Sequence, residues 1–203
     1  MNNKRTKLIA YSAVFTALTF VVTFFTSIEI LPGGIINFGD AVILITAFVA
    51  GPIPAMIAGG VGSALVNVAG RPNIIWAPFT LVIKGGYGLI AGLIFKAIRE
   101  KNKPQITEDF DDSTLVIQPE SAKWRTLAGM VIASVVGSVI MITGYFFARW
   151  LLIGVGLLPA SREVAILDAL FWAGMNSIQM VVSSTIAVPT ALALRKIMKS
   201  HIY

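Results

Sequence analysis

Six apolar stretches separated by short polar breaks set the plan of the chain: residues 7–25, 40–50, 54–69, 75–98, 127–153 and 170–198. A helix needs roughly 20 mostly apolar residues to cross a bilayer core about 30 Å thick. The first and the last three stretches have that reach. The second and third are shorter, and Gly51-Pro52-Ile53-Pro54 leaves almost no loop between them, which predicts a tight hairpin inside a shielded bundle. A transmembrane barrel would show alternating strands of about 10 residues, and no such alternation runs through these stretches. The pattern predicts an all-α membrane protein: one domain over residues 1–203, a six-transmembrane-helix bundle.

Composition agrees. The chain is 56% hydrophobic and 13% charged, with a mean hydropathy of +0.82. Lipid is the solvent for such a surface. Residues 2–5 followed by an apolar run imitate a secretory signal, but the run from 8 to 25 exceeds a typical signal core, so it is read as the first span. Cysteine is absent, which excludes disulfides and thiolate chemistry.

Basic residues orient the bundle. Lys4, Arg5 and Lys7 precede span one. Lys96, Arg99, Lys101, Lys103, Lys123 and Arg125 bracket the loop at about 100–123. Arg195, Lys196 and Lys199 close span six. Only Arg71, Arg149 and Arg162 fall toward the other side, and Lys84 lies within span four. An even number of spans with this bias places both termini in the cytoplasm. The net charge of +6 sits at span ends rather than on one face, so nucleic acid is not an expected partner. The acidic run at 108–112 reads as a solvated connector or as a docking point for a cytoplasmic partner.

Small residues recur four apart at Ala13/Ala17, Gly59/Ser63, Gly60/Ala64 and Gly88/Gly92. This spacing lets helices approach closely, and packing within the bundle accounts for most of the pairs.

Polar side chains inside apolar spans are costly and therefore informative. At about 100° per residue, Trp76, Thr80, Lys84 and Tyr87 share roughly 80° of one helix face. Lys84 suits a ligand acceptor, or an ion pair with Asp40. Trp172, Asn176, Gln179 and Ser183 share about 60° of span six. Their amides suit a small heteroaromatic ligand or hydrogen bonds between helices. Asn37 and Asp40 open span two, where either can cap its first N–H groups. Asn67, Arg71 and Asn73 follow at the outer end of span three. Tyr145 and Arg149 share a face of span five and read as interfacial anchors. The candidate binding residues are Asn37, Asp40, Asn67, Trp76, Thr80, Lys84, Tyr87, Trp172, Asn176 and Gln179.

Catalysis finds little support. Gly60-Val61-Gly62-Ser63 imitates a serine-protease turn, but the only histidine is His201 and no span holds a base for it. There is no paired-carboxylate site, no His-Glu-x-x-His motif and no Walker A sequence. No cofactor or metal is expected.

Several motifs, taken in order, resemble a known family. Ala13-Val14-Phe15-Thr16-Ala17, Asn37-Phe38-Gly39-Asp40-Ala41, Ala50-Gly51-Pro52, Gly59-Gly60-Val61-Gly62-Ser63-Ala64 and Ala77-Pro78-Phe79-Thr80-Leu81-Val82-Ile83-Lys84-Gly85 are similar to segments of S-components of energy-coupling factor (ECF) vitamin transporters. The branch is the one with riboflavin-, hydroxymethylpyrimidine- and pyridoxine-type members. The likeness is densest from Ala13 to Gly92. It implies a six-helix bundle with a vitamin pocket near the outer surface, covered by the loops after spans one and three. It also implies docking through Ala13 and Ala17 onto a membrane coupling subunit that carries two cytoplasmic ATPase subunits. The chain departs from its relatives at Tyr87, where they often carry an acidic residue. A B6 vitamer is the first expectation, with hydroxymethylpyrimidine or riboflavin in the same system as alternatives. A self-sufficient secondary carrier is the competing class.

Overall fold

The structure, a computed structural model, describes residues 3–31, 34–69, 74–101, 120–158 and 160–200. Arg71, Asn73, the acidic run at 108–112, His201 and most of the loop at 100–123 lie outside the described residues.

Helix α1 spans Asn3–Thr26. Strands β1, Ile28–Leu31, and β2, Gly34–Ile36, follow as an antiparallel hairpin pairing Ile28 with Ile36 and Glu29 with Ile35. Next come α2, Gly39–Val49, and α3, Pro52–Ile57. A π-helical turn, Ala58–Gly62, leads into α4, Ser63–Ala69. A 3₁₀ turn, Ile74–Trp76, opens α5, Ala77–Lys101. The long helices α6, Glu120–Gly154, and α7, Ala165–Ser200, complete the bundle, with a 3₁₀ turn, Arg162–Val164, between them.

One expectation changes. The chain is nearly all-helical rather than wholly so, because the segment after α1 pairs with itself as a hairpin. Five helical stretches are long and apolar enough to cross a membrane among the described residues: Arg5–Thr26, Pro52–Ala69, Ile74–Lys101, Trp124–Gly154 and Arg162–Ile197; the shorter apolar helix Gly39–Val49 lies at the second of the six stretches. Helix α2 has 11 residues, about 16 Å at 1.5 Å per residue, roughly half a bilayer core.

That short helix lies at the centre. A helix that is apolar all round belongs inside a bundle, and α2 buries Ala41, Val42, Ile43, Leu44, Ala47 and Phe48. Around them pack Tyr87, Ala91 and Phe95 of α5, Met130 and Met141 of α6, and Met180, Ala187 and Ala191 of α7. Phe48 meets Phe95 edge to face with ring centroids 5.1 Å apart. The guanidinium of Arg195 lies over the Phe95 ring and donates to the Phe48 carbonyl at 2.6 Å. It thereby supplies a partner to one of the carbonyls that a helix end leaves free. Gly51 then turns the chain at φ 98°, a region that favours glycine, and Pro52 starts α3 where its missing N–H costs nothing.

The glycine pairs explain how α3 and the π turn fit against α5. A Cβ on Gly88 would stand 2.4 Å from the Ala55 carbonyl oxygen, and one on Gly59 would stand 2.5 Å from that of Lys84. Backbone touches backbone here, as small residues allow between membrane helices. Ala13 and Ala17 differ. They are exposed on α1 and line an open, mostly apolar groove with Ile57 and Leu65.

Candidate ligand-binding site

A cavity opens among the helices at the hairpin end of the bundle. The space available to the centre of a water molecule is ≈ 100 Å³. Its wall takes Thr23 from α1 and Ser27 just after it, Ile35 and Asn37 from the hairpin and the segment after it, and Ser63, Val66 and Asn67 from α4. Trp76 comes from the 3₁₀ turn before α5, Thr80 and Lys84 from the first half of α5, Met141, Tyr145 and Arg149 from α6, and Trp172, Asn176 and Gln179 from α7. The site is assembled where α1, α4 and α6 end and α2, α5 and α7 begin. The π turn immediately precedes Ser63. Such turns widen a helix locally and are frequent at functional sites.

The polar side chains are tied to one another. Lys84 Nζ stands 2.8 Å from Asp40 Oδ1, with side chains 5% and 0% exposed. Gln179 Nε2 donates to Asp40 Oδ2, and Gln179 Oε1 accepts the backbone N–H of Asn37 at 2.9 Å. Asn67 Nδ2 and the Tyr145 hydroxyl both donate to Thr80 Oγ1, at 2.9 and 3.1 Å. Arg149 pairs with Asp168 through Nε and Nη2. Its guanidinium carbon lies 4.9 Å from the centroid of the Trp172 ring, within range of a cation–π contact. Trp76 sits 6.0 Å, centroid to centroid, from Tyr145. Each cation in the wall thus has its own carboxylate. With those two carboxylates counted the site is formally neutral, and its lining combines two indoles, a phenol, four amides and two compensated cations.

The structure brings Asn37, Asn67, Trp76, Thr80, Lys84, Trp172, Asn176 and Gln179 to this one cavity. Two candidates stand elsewhere. Asp40 lies behind Lys84 and Gln179 and holds both. It does not cap α2: the capping position is Phe38, no side chain bonds there, and Asn37 Oδ1 instead accepts the Gly39 N–H at 3.0 Å. Tyr87 is fully buried in the core against Gly137 and Ala91. It shares the helix face of Lys84 but sits three residues, about 4.5 Å, further along the helix, below the cavity floor. Ser183 also lies outside the lining.

Residue reading missed Thr23, Ser27, Ile35, Val66 and Met141. It took Ser63 as a packing residue and Tyr145 and Arg149 as interfacial anchors. Arg149 carried a usable signal, since a cation within an apolar stretch seeks a buried partner. That partner, Asp168, falls just before the sixth apolar stretch.

A membrane-embedded, multi-pass helical bundle with a small polar-aromatic cavity between its helices defines a substrate-binding membrane subunit. The chain belongs to the S-component family of ECF transporters: the family model "ECF-type riboflavin transporter, S component" matches residues 3–196. Such a subunit is a transporter component that binds substrate rather than a catalyst. A solved S component of a bacterial ECF transporter shares the fold, with a TM-score of 0.61 at 21% identity over 96% of this chain and 99% of that one. The thiamine precursor transporter HmpT of Lactococcus lactis is 38% identical over 96 residues, covering 46% of this chain and 57% of that protein. An uncharacterized protein from the gap 3' region of Pyrococcus woesei is 33% identical over 123 residues, covering 61% of this chain and 64% of that protein. The chain spans less than two thirds of the length of either relative.

Proposed function

We propose that this chain is the vitamin-binding subunit of an ATP-driven ECF uptake transporter and that its ligand is a small, uncharged heteroaromatic vitamin precursor of the hydroxymethylpyrimidine type. The observation that carries the reading is the compensated, amide- and indole-lined cavity. A wall whose cations are each paired offers hydrogen bonds without net charge, which suits a neutral polar ring. The space of ≈ 100 Å³ for a water centre favours one ring over a fused tricycle with a polyol chain, the shape of riboflavin. The likeness to HmpT supports a pyrimidine over the B6 vitamer expected from the residues alone. Lys84 is the observation that favours the B6 reading, because a cation there can hold a phenolate oxygen.

In this reading α2 and α3–α4 count as spans two and three of six. Both termini lie in the cytoplasm, because Arg5, Lys7, Lys96, Arg99, Arg125, Arg195 and Lys196 gather at the end away from the hairpin. The groove at Ala13 and Ala17 receives a membrane coupling subunit, which works with two cytoplasmic ATPases.

Tryptophan fluorescence of the purified, ligand-free chain tests the ligand. Trp76 and Trp172 line the cavity, whereas Trp124 and Trp150 are exposed on α6. Saturable quenching by hydroxymethylpyrimidine, lost in Trp172→Phe, is the expected result. Quenching by pyridoxal or riboflavin instead would transfer the assignment to that ligand. Silence toward the whole panel, from folded protein, would defeat the vitamin-binding reading.

A further inference from the structure

Gln179 lines the cavity, yet its polar end is committed elsewhere. Its side chain is buried, with Nε2 on Asp40 and Oε1 on the backbone N–H of Asn37. These partners are 139 and 142 residues away in sequence. One is the carboxylate that orients Lys84. The other belongs to the segment joining β2 to α2, whose hairpin contributes Ile35 to the cavity wall. The same segment is also held by the Phe38 N–H, which donates to Thr26 Oγ1 at 3.0 Å, by the Gly39 N–H, which donates to Asn37 Oδ1, and by the Phe38 carbonyl, which accepts the Ala41 N–H at 3.1 Å. An amide has two donors and two acceptor sites, and one of each is already spent on these bonds.

We propose that Gln179 is a positioning residue for ligand binding: its amide joins the Asn37 segment over the cavity to the Asp40 carboxylate that aims Lys84 into it. The inference rests on the reading of this cavity as the ligand site. Amide nitrogen faces carboxylate and amide oxygen faces N–H, so the single side chain serves two partners of opposite polarity. Lysine, leucine or methionine in its place satisfies at most one of them. A displaced Gln179 frees Asp40 to rotate, moves Lys84 with it, and leaves the Asn37 N–H without its acceptor in a partly buried setting, where such a loss is costly.

The test exchanges the roles of donor and acceptor. Asp40→Asn alone leaves one oxygen at position 40 for two donors, Lys84 Nζ and Gln179 Nε2, and turns an N–H group toward the other. Adding Gln179→Glu returns a carboxylate across the same hydrogen bond, keeps the net charge, and still offers an oxygen to the Asn37 N–H. Hydrogen exchange of the ligand-free protein reads positioning directly. Exchange over residues 35–39 should rise at least about tenfold in Gln179→Met and in Asp40→Asn, and fall back toward wild type in the exchanged pair. Ligand affinity should follow the same order, with the pair at least about fivefold tighter than Asp40→Asn alone. A merely structural amide would change the melting temperature without this rescue. Unchanged exchange in Gln179→Met, or an exchanged pair no better than Asp40→Asn, would overturn the proposal. If wild type binds no vitamin, the exchange data still decide the positioning role, so that failure is separable from failure of the functional reading.

Discussion

Lys84→Met asks how much the buried ion pair matters to the bundle apart from any ligand. The substitution keeps most of the side-chain volume and removes the charge. Asp40 is left with no exposure and with the Gln179 amide as its remaining donor. At 2.8 Å the Coulomb attraction is about 6 kcal/mol with an effective dielectric constant of about 20, and the desolvation of both groups opposes it. Removing one partner of such a pair costs about 3–5 kcal/mol, because the survivor is stranded. The remaining Gln179 bond puts the expectation near the low end, about 3 kcal/mol, or roughly 6–12 °C in melting temperature for a chain of this size. Removing both partners, as Asp40→Leu with Lys84→Met, should restore most of that stability while ligand binding stays lost. The assay is thermal unfolding of ligand-free protein in detergent, followed by intrinsic fluorescence and repeated at high salt, where a buried pair is little screened. A loss below about 1 kcal/mol in Lys84→Met, or a double variant less stable than the single one, would refute the reasoning.

Gly88→Leu forces a side chain into a space where even a Cβ comes 2.4 Å from the Ala55 carbonyl oxygen. It should lower stability by about 2–4 kcal/mol, read as a melting shift, whereas Gly86→Leu, with nothing near its Cβ, should be nearly neutral. Ala13→Trp with Ala17→Trp fills the open groove on α1. Vitamin uptake by cells carrying the full transporter should fail while the purified variant still binds ligand, and loss of binding as well would show that this face supports the bundle.

Much of the site was legible because apolar surroundings make polar residues conspicuous. Lys84 and Asp40 are a cation and a carboxylate inside apolar stretches, so their pairing could be anticipated as one of two roles. The faces of α5 and α7 followed from helical period alone. Period gives direction around a helix but not depth along it, which is why Tyr87 was grouped with Lys84 although it lies in the core. Arg149 and Asp168 were separated by a stretch boundary drawn on hydropathy, so neither pointed to the other. The hairpin at Ile28–Ile36 escaped because its strands have four and three residues, too few for a period to register. The side-chain length of Gln179 was visible, but not which way its amide turns. That depends on Asn37 and Asp40, far away along the chain.

The half-length helix α2 constrains how the protein can be made. It emerges from the ribosome carrying Asp40, yet Lys84 lies 44 residues later, Gln179 lies 139 later, and Arg195, which holds the other end of α2, comes 147 after Phe48. Too short to span lipid by itself and burdened with a carboxylate, α2 lacks, when it is synthesised, the partners that its final place requires. The contacts that hold it are complete only once α7 has been made. The second apolar helix made is thus among the last to gain its full set of partners, and a nascent chain cut short of α7 lacks those that hold both of its ends.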